Sequence, residues 1–141
     1  MRHPLAALLL LLLAITPATA QNKPFSMLGT WLVKGEALSV GQSIHPEHSH
    51  GQPEPKVLAI NIRWVIDKQS GNTFSGNSIG SSGTKEWVIG TLNRDGKRAV
   101  VANQRGGVYD FIVVDANTID ICYTRDDPKH IAAACMTGTR Q

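Results

Sequence analysis

Apolar and polar positions alternate along most of this chain, and the alternation has a period of two. The clearest stretch is Val57 to Asp67, where Leu58, Ile60, Ile62, Trp64 and Ile66 interleave with Ala59, Asn61, Arg63, Val65 and Asp67. Side chains on a strand point to opposite faces in turn, so this pattern predicts a strand with one face buried. Leu28 to Val40 predicts the first strand, with a bend expected at Gly35 because glycine inside a strand often marks a bulge. Gly41 to Lys56 has three His, three Pro and no periodicity, and predicts a long polar connection. Further strands are predicted over Thr73 to Ile79, Lys85 to Leu92, Arg98 to Asn103, Val108 to Val114, Thr118 to Arg125 and Ile131 to Arg140.

Turn residues separate these runs: Ser70-Gly71-Asn72, Gly80-Ser81-Ser82-Gly83, Asn93-Arg94-Asp95-Gly96, Gly106-Gly107 and Asp115-Ala116-Asn117. Eight short strands with hairpin-length links predict an all-β fold, an eight-stranded antiparallel up-and-down barrel. Closing the sheet removes exposed edges, and eight strands enclose room for one small ligand or a solid core. Helix is an alternative only over Ile131 to Met136, which holds three alanines.

The first twenty residues read differently. Arg2 and His3 precede an unbroken apolar run from Leu5 to Ile15, and Ala18-Thr19-Ala20 is a small-x-small cleavage site. This predicts a cleaved signal peptide over 1–20, a lead-in over 21–27 and one domain over 28–141, periplasmic or secreted. The apolar run is shorter than the roughly 20 residues of a membrane helix, so no span is expected after cleavage. Lys and Arg total 14 against 11 Asp and Glu, and removing Arg2 leaves 13 against 11 with no basic run. Nucleic-acid binding is therefore not expected.

Two cysteines remain, Cys122 and Cys135. In an oxidising compartment a disulfide is expected. A hairpin turning at Pro128-Lys129 places the two directly opposite each other, Tyr123 opposite Ala134 and Ile121 opposite Met136. Free thiols or a two-Cys metal site are the alternatives, and the twelve-residue spacing is not a zinc signature.

Gly29-Thr30-Trp31 resembles the Gly-x-Trp that opens the barrels of the calycin group, the lipocalins and avidins. That resemblance implies that Arg140, inward by the same register, packs over Trp31 and closes one barrel end. It also implies a small molecule in the open end, held against Trp side chains and polar groups. Trp64 and Trp87 are the aromatic candidates, and Asn77, Ser78 and Tyr109 the polar ones. They do not align residue by residue with the avidin biotin site, so an apolar or amphipathic ligand is expected instead. The competing expectation is a solid interior filled by Leu58, Ile60, Ile62, Trp64, Ile89, Val101, Ile121 and Met136.

Other candidate chemistry is weaker. His45, His48 and His50 lie within six residues beside Glu47 and Glu54, a set that could bind Zn, Cu or Ni. Gly76-Asn77-Ser78-Ile79-Gly80 matches the Gly-x-Ser-x-Gly nucleophile elbow, but that motif needs a strand-turn-helix setting the chain does not predict. Asp110, Asp115 and Asp120 are scattered by parity, so no acid–base pair is expected. The function expected is non-catalytic binding of a small molecule in the barrel, without a cofactor. The alternatives are a protein-interaction module of the cell envelope, acting through the Gly80 to Thr84 and Asp126 to Lys129 loops, or metal binding by the His loop.

Overall fold

The computed structural model describes residues 24–42 and 52–141. Eight strands follow one another: β1 (Gly29–Gly41), β2 (Gln52–Ser70), β3 (Thr73–Ile79), β4 (Lys85–Leu92), β5 (Arg98–Asn103), β6 (Val108–Asp115), β7 (Thr118–Asp127) and β8 (His130–Arg140). Each pairs antiparallel with the next, and β8 returns to pair with β1, so the sheet is a closed barrel with no free edge. The alanine-rich stretch belongs to β8 and contains no helix.

Register follows from the alternation. β1 lies along β2 from Gly29 opposite Ile66 to Ser39 opposite Lys56 without a break. Trp31, Val33, Ala37 and Ser39 of β1 thereby turn inward together with Trp64 and Ile66 of β2. No bulge occurs at Gly35. A side chain there would collide with Met136 and the Cys135 carbonyl, so this glycine serves close approach of β1 to β8. The irregularity falls between Ser39 and Gly41, where Gly41 pairs with Gln52. Pro53 and Pro55 lie in that offset, where the N–H groups they lack are not needed for the ladder. The β1–β2 connection is accordingly shorter than composition suggests, because β2 starts at Gln52 rather than near Val57.

The sealed end is built around Trp31, which is fully buried. Its Nε1 donates to the Met27 carbonyl at 2.9 Å, and Met27 N donates to Gln69 Oε1 at 2.7 Å. Gln69 Nε2 in turn donates to the Phe25 carbonyl at 2.8 Å. The described part of the lead-in thus lies across the barrel end as a plug, with Met27 fully buried. Arg140 completes it. Its guanidinium carbon lies 4.2 Å from the Trp31 ring centre and 5.8 Å from that of Phe25. The same guanidinium donates to the carbonyls of Leu28 and Ser26. A planar fork that both stacks and donates is what arginine offers and lysine does not.

Above the plug, Val33, Ile66, Phe74, Val88, Leu92, Ala99, Val101, Phe111, Ile119 and Ile121 form one apolar core. On the outer surface Cys122 and Cys135 face each other across β7 and β8 and form a disulfide. It joins directly opposed positions, as the hairpin register requires. A structure held this way is consistent with an oxidising setting. Among the described residues no helix is long and apolar enough to cross a membrane.

Candidate functional site

The unplugged end of the barrel is chemically different. Six polar or charged side chains are buried among the described residues: Ser39, Ser78, Glu86, Asn103, Arg125 and His130. Strand direction puts all six toward the end away from Trp31. Ser39 is near the end of β1, Ser78 near the end of β3, Glu86 near the start of β4 and Asn103 at the end of β5. Arg125 lies near the end of β7, and His130 starts β8. The interior therefore grades from wholly apolar at the plug to polar at the mouth.

A cavity of about 100 Å³ opens in this polar half. Space of that size holds several waters or a small organic group. Its lining is two-sided. Ala37 on β1, Leu58, Ile60 and Ile62 on β2, and Ala132, Ala134 and Met136 on β8 make an apolar arc, since β8, β1 and β2 are neighbours, with Ser39 and His130 lining the cavity beside it. Ser78, Glu86, Tyr109 and Tyr123, from β3, β4, β6 and β7, face it. The three alanines matter: inward positions of β1 and β8 carry only a methyl group, and the space is what larger side chains would have filled.

The polar wall is rigidly braced. Glu86 is buried, which is costly for a carboxylate unless it is paired. Arg105, from the β5–β6 turn, supplies the partner, with Nε 2.7 Å from Glu86 Oε1. Asn103 holds that turn by accepting from Gly107 N at 2.7 Å and from Arg105 N at 3.1 Å. Its Nδ2 donates to the Tyr109 hydroxyl at 3.4 Å. Gly106 has a φ of 82°, which favours glycine, and a side chain on Gly107 would strike the Tyr123 ring. The Gly106-Gly107 pair thus serves both the turn and the tyrosine. Arg125 donates to the Arg105 carbonyl and lies 3.4 Å from Asp127. Across the mouth, Ser39 Oγ and His130 Nε2 are 2.8 Å apart.

Aromatic rings link this wall to the core. Tyr109 and Tyr123 have ring centres 4.7 Å apart, and Trp64 meets Tyr109 edge-on at 5.1 Å. Burial, followed by the charge of Tyr123, pushes the Tyr109 phenol well above its ordinary pKa. Burial also raises that of Tyr123, against the opposing effect of Arg125. Both hydroxyls are therefore neutral donors at any physiological pH. The Tyr123 hydroxyl, sealed from water, is approached by the donor groups of Arg125 and Asn103, and among the described residues Trp64 Nε1 is buried without a hydrogen-bond partner.

The sequence candidates divide on this geometry. Tyr109 and Ser78 line the cavity. Trp64 is fully buried but lies beneath the lining, in contact with Tyr109. Trp87 and Asn77 are not interior. Trp64 pairs with Ser78, which fixes Ser78 inward, and the next position, Asn77, pairs with Trp87 on the outer face. Trp87 is 52% exposed, and Ile89, expected in the core, is 59% exposed. Strand β4 has apolar residues on both faces, so its alternation gives no direction. The inward residue proves to be Glu86, because Arg105 can neutralise it.

Glu86, Asn103, Tyr123, Arg125, Ser39 and His130 were not site candidates by sequence. Their shared signal is a polar residue at inward parity in the last turn before one barrel end. His45, His48 and His50 lie outside the described residues, as does the expected signal peptide. Among the described residues no three His, Cys, Asp or Glu side chains gather as a metal site. The chain matches no protein-family model, no curated protein and no solved structure.

Proposed function

We propose that the protein binds a small amphipathic molecule in the mouth of its barrel, without transforming it. The observation that carries this reading is the two-sided cavity, with an apolar arc on β8, β1 and β2 facing the hydroxyl-bearing wall of Tyr109, Tyr123 and Ser78. Concave, largely apolar sites with a few converging polar groups are the usual form of a small-molecule site, and barrel mouths are a common place for one. A barrel of eight antiparallel strands with Trp31 under Arg140 is compatible with a calycin-type carrier, and the signal-like N-terminal sequence supports export. The cup would then collect or shield its ligand outside the cytoplasm.

The test fills the cup. Ala134 points inward and lines the cavity, whereas its neighbour Ala133 points outward. Native mass spectrometry of protein purified gently from the cells that make it should show an organic adduct. The adduct should vanish in Ala134→Trp and persist in Ala133→Trp. A bare chain in the unaltered protein, or an adduct indifferent to Ala134→Trp, would sink the reading.

A protein-contact role is the second reading, and the outer face of β4 to β6 favours it. Trp87, Ile89, Val100 and Val108 are all exposed there. Trp87→Ser should abolish such a contact while leaving the cup intact.

A further inference from the structure

The outer face of β4, β5 and β6 departs from the pattern that shapes the rest of the barrel. An antiparallel sheet with one wet face alternates apolar inward and polar outward. The opposite flank follows this, with Lys34 and Glu36 of β1 and Asn61 and Arg63 of β2 turned to solvent. On β4 to β6 the outward residues include Trp87, Ile89, Val100, Ala102, Val108 and Ile112, and the five larger ones are 44% to 59% exposed. They are contiguous. Ile89 pairs with Ala102, and Ala102 with Val108, so these three form one row across the strands. Trp87 lies two residues from Ile89 on the same face, and Val100 two from Ala102. Ile112 stands two residues past Asp110, the partner of Val100. We infer that this face is where two copies of the chain pair, face on face, as a reversible homodimer. The inference rests on the protein-contact reading above, not on the cup.

Three features select a second copy as the occupant. The barrel is closed, so no strand edge is offered and association takes place between faces. The five large side chains leave roughly 500 Å² open, near the top of the range for one patch on an ordinary monomer. With a polar frame of Ser75, Asn77, Thr91 and Gln104, the face approaches the roughly 800 Å² per partner of a standard interface. An aromatic anchor among aliphatic neighbours inside a polar rim is the usual anatomy of such a contact. Charge is the third feature. In a two-fold pair the same patch meets itself, so a net charge at its centre would be opposed by its own copy. Arg98 and Asp110, which border the patch, lie 3.3 Å apart and cancel within one chain. The apolar residues between them and Trp87 carry no charge, so nothing there repels an identical face.

Sedimentation equilibrium of the purified protein tests this, with acrylamide quenching of Trp87 as a second readout. The expected result is a monomer below about 1 μM and a dimer above about 100 μM, the range open to a small interface. Quenching of Trp87 should fall over the same range. Val100→Glu sets two carboxylates against each other near the centre and should weaken pairing at least about 30-fold. Leu38→Glu, an outward change on the opposite flank, should leave pairing within about two-fold. Both positions are half exposed, so neither change enters the core. Should Val100→Glu fail to fold, Trp87→Ser takes its place, read by sedimentation alone. A monomer at every concentration would overturn the inference, and so would a dimer on which the two glutamate variants act equally. If the chain stays monomeric while an extract of the cell envelope shields Trp87, self-pairing fails and the contact reading stands. If neither a second copy nor the extract shields Trp87, both fail.

Discussion

Arg140, next to last in the chain, stacks on Trp31 near the start of the first strand, and the two are also directly paired across β8 and β1. This contact thereby ties the last strand to the first at the sealed end of the barrel. A cation–π contact contributes roughly 0.5–2 kcal/mol. The hydrogen bonds to Ser26 and Leu28 add to that by holding the plug. Arg140→Ala should therefore lower the stability by about 2–3 kcal/mol in urea unfolding. Arg140→Lys should recover only part, because the fork is lost. A loss below about 0.5 kcal/mol in the alanine variant would show that the seal is ornamental.

Removing the disulfide should be equally visible. Closing a loop of the kind between Cys122 and Cys135 stabilises by about 3 kcal/mol in the chain-entropy view. Cys122→Ser with Cys135→Ser should reduce the urea midpoint accordingly, and reductant should do the same to the unaltered protein but nothing to the double variant. Coincident unfolding curves in all four conditions would contradict the assignment.

The three tryptophans should behave differently. Trp31 and Trp64 are fully buried, and Trp87 is half exposed. Acrylamide should quench Trp87 readily and the other two hardly at all, so Trp87→Phe should remove most of the quenchable signal. Trp64→Ala should cost about 3–5 kcal/mol, as for other large aromatic truncations, and Trp87→Ala much less. Equal costs for the two would mean that the inward and outward faces of β2 and β4 are misassigned.

The buried phenol predicts a pH limit. Tyr109 has its pKa raised in the folded state, so it stays protonated while the unfolded chain ionises near its ordinary pKa of about 10. Its stabilising contribution is present in full below that pH and declines above it. The decline is up to about 1.4 kcal/mol per pH unit. Urea midpoints between pH 9 and 11.5 should fall less steeply in Tyr109→Phe than in the unaltered chain. Parallel profiles would show that this residue is not the cause.

Much of this fold was legible in the alternation, and the reason is physical. A strand that buries one face writes its register into the sequence, and β7 and β8 do this clearly enough to place Cys122 opposite Cys135 and to turn Arg140 inward, while its place over Trp31 was an expectation from the Gly-x-Trp resemblance. β4 does not. It carries Trp87 and Ile89 outward and Glu86 inward, against the usual preference, so only the pairing of Trp64 with Ser78 resolves it. The site was less legible still. Glu86 belongs inside only because Arg105, nineteen positions along, folds back over it, and single-residue chemistry cannot announce that. The plug was hidden for a related reason. Phe25 and Met27 follow no period, and their role depends on Gln69, more than forty residues away.

The plug has a practical meaning. Both Pro24 and Gln141 sit beside the sealed end, at the pole opposite the mouth. A carrier, bead or dye attached at either of these two residues would leave the opening unobstructed. The molecule is polarised like a goblet, with its sealed foot and its opening at opposite poles.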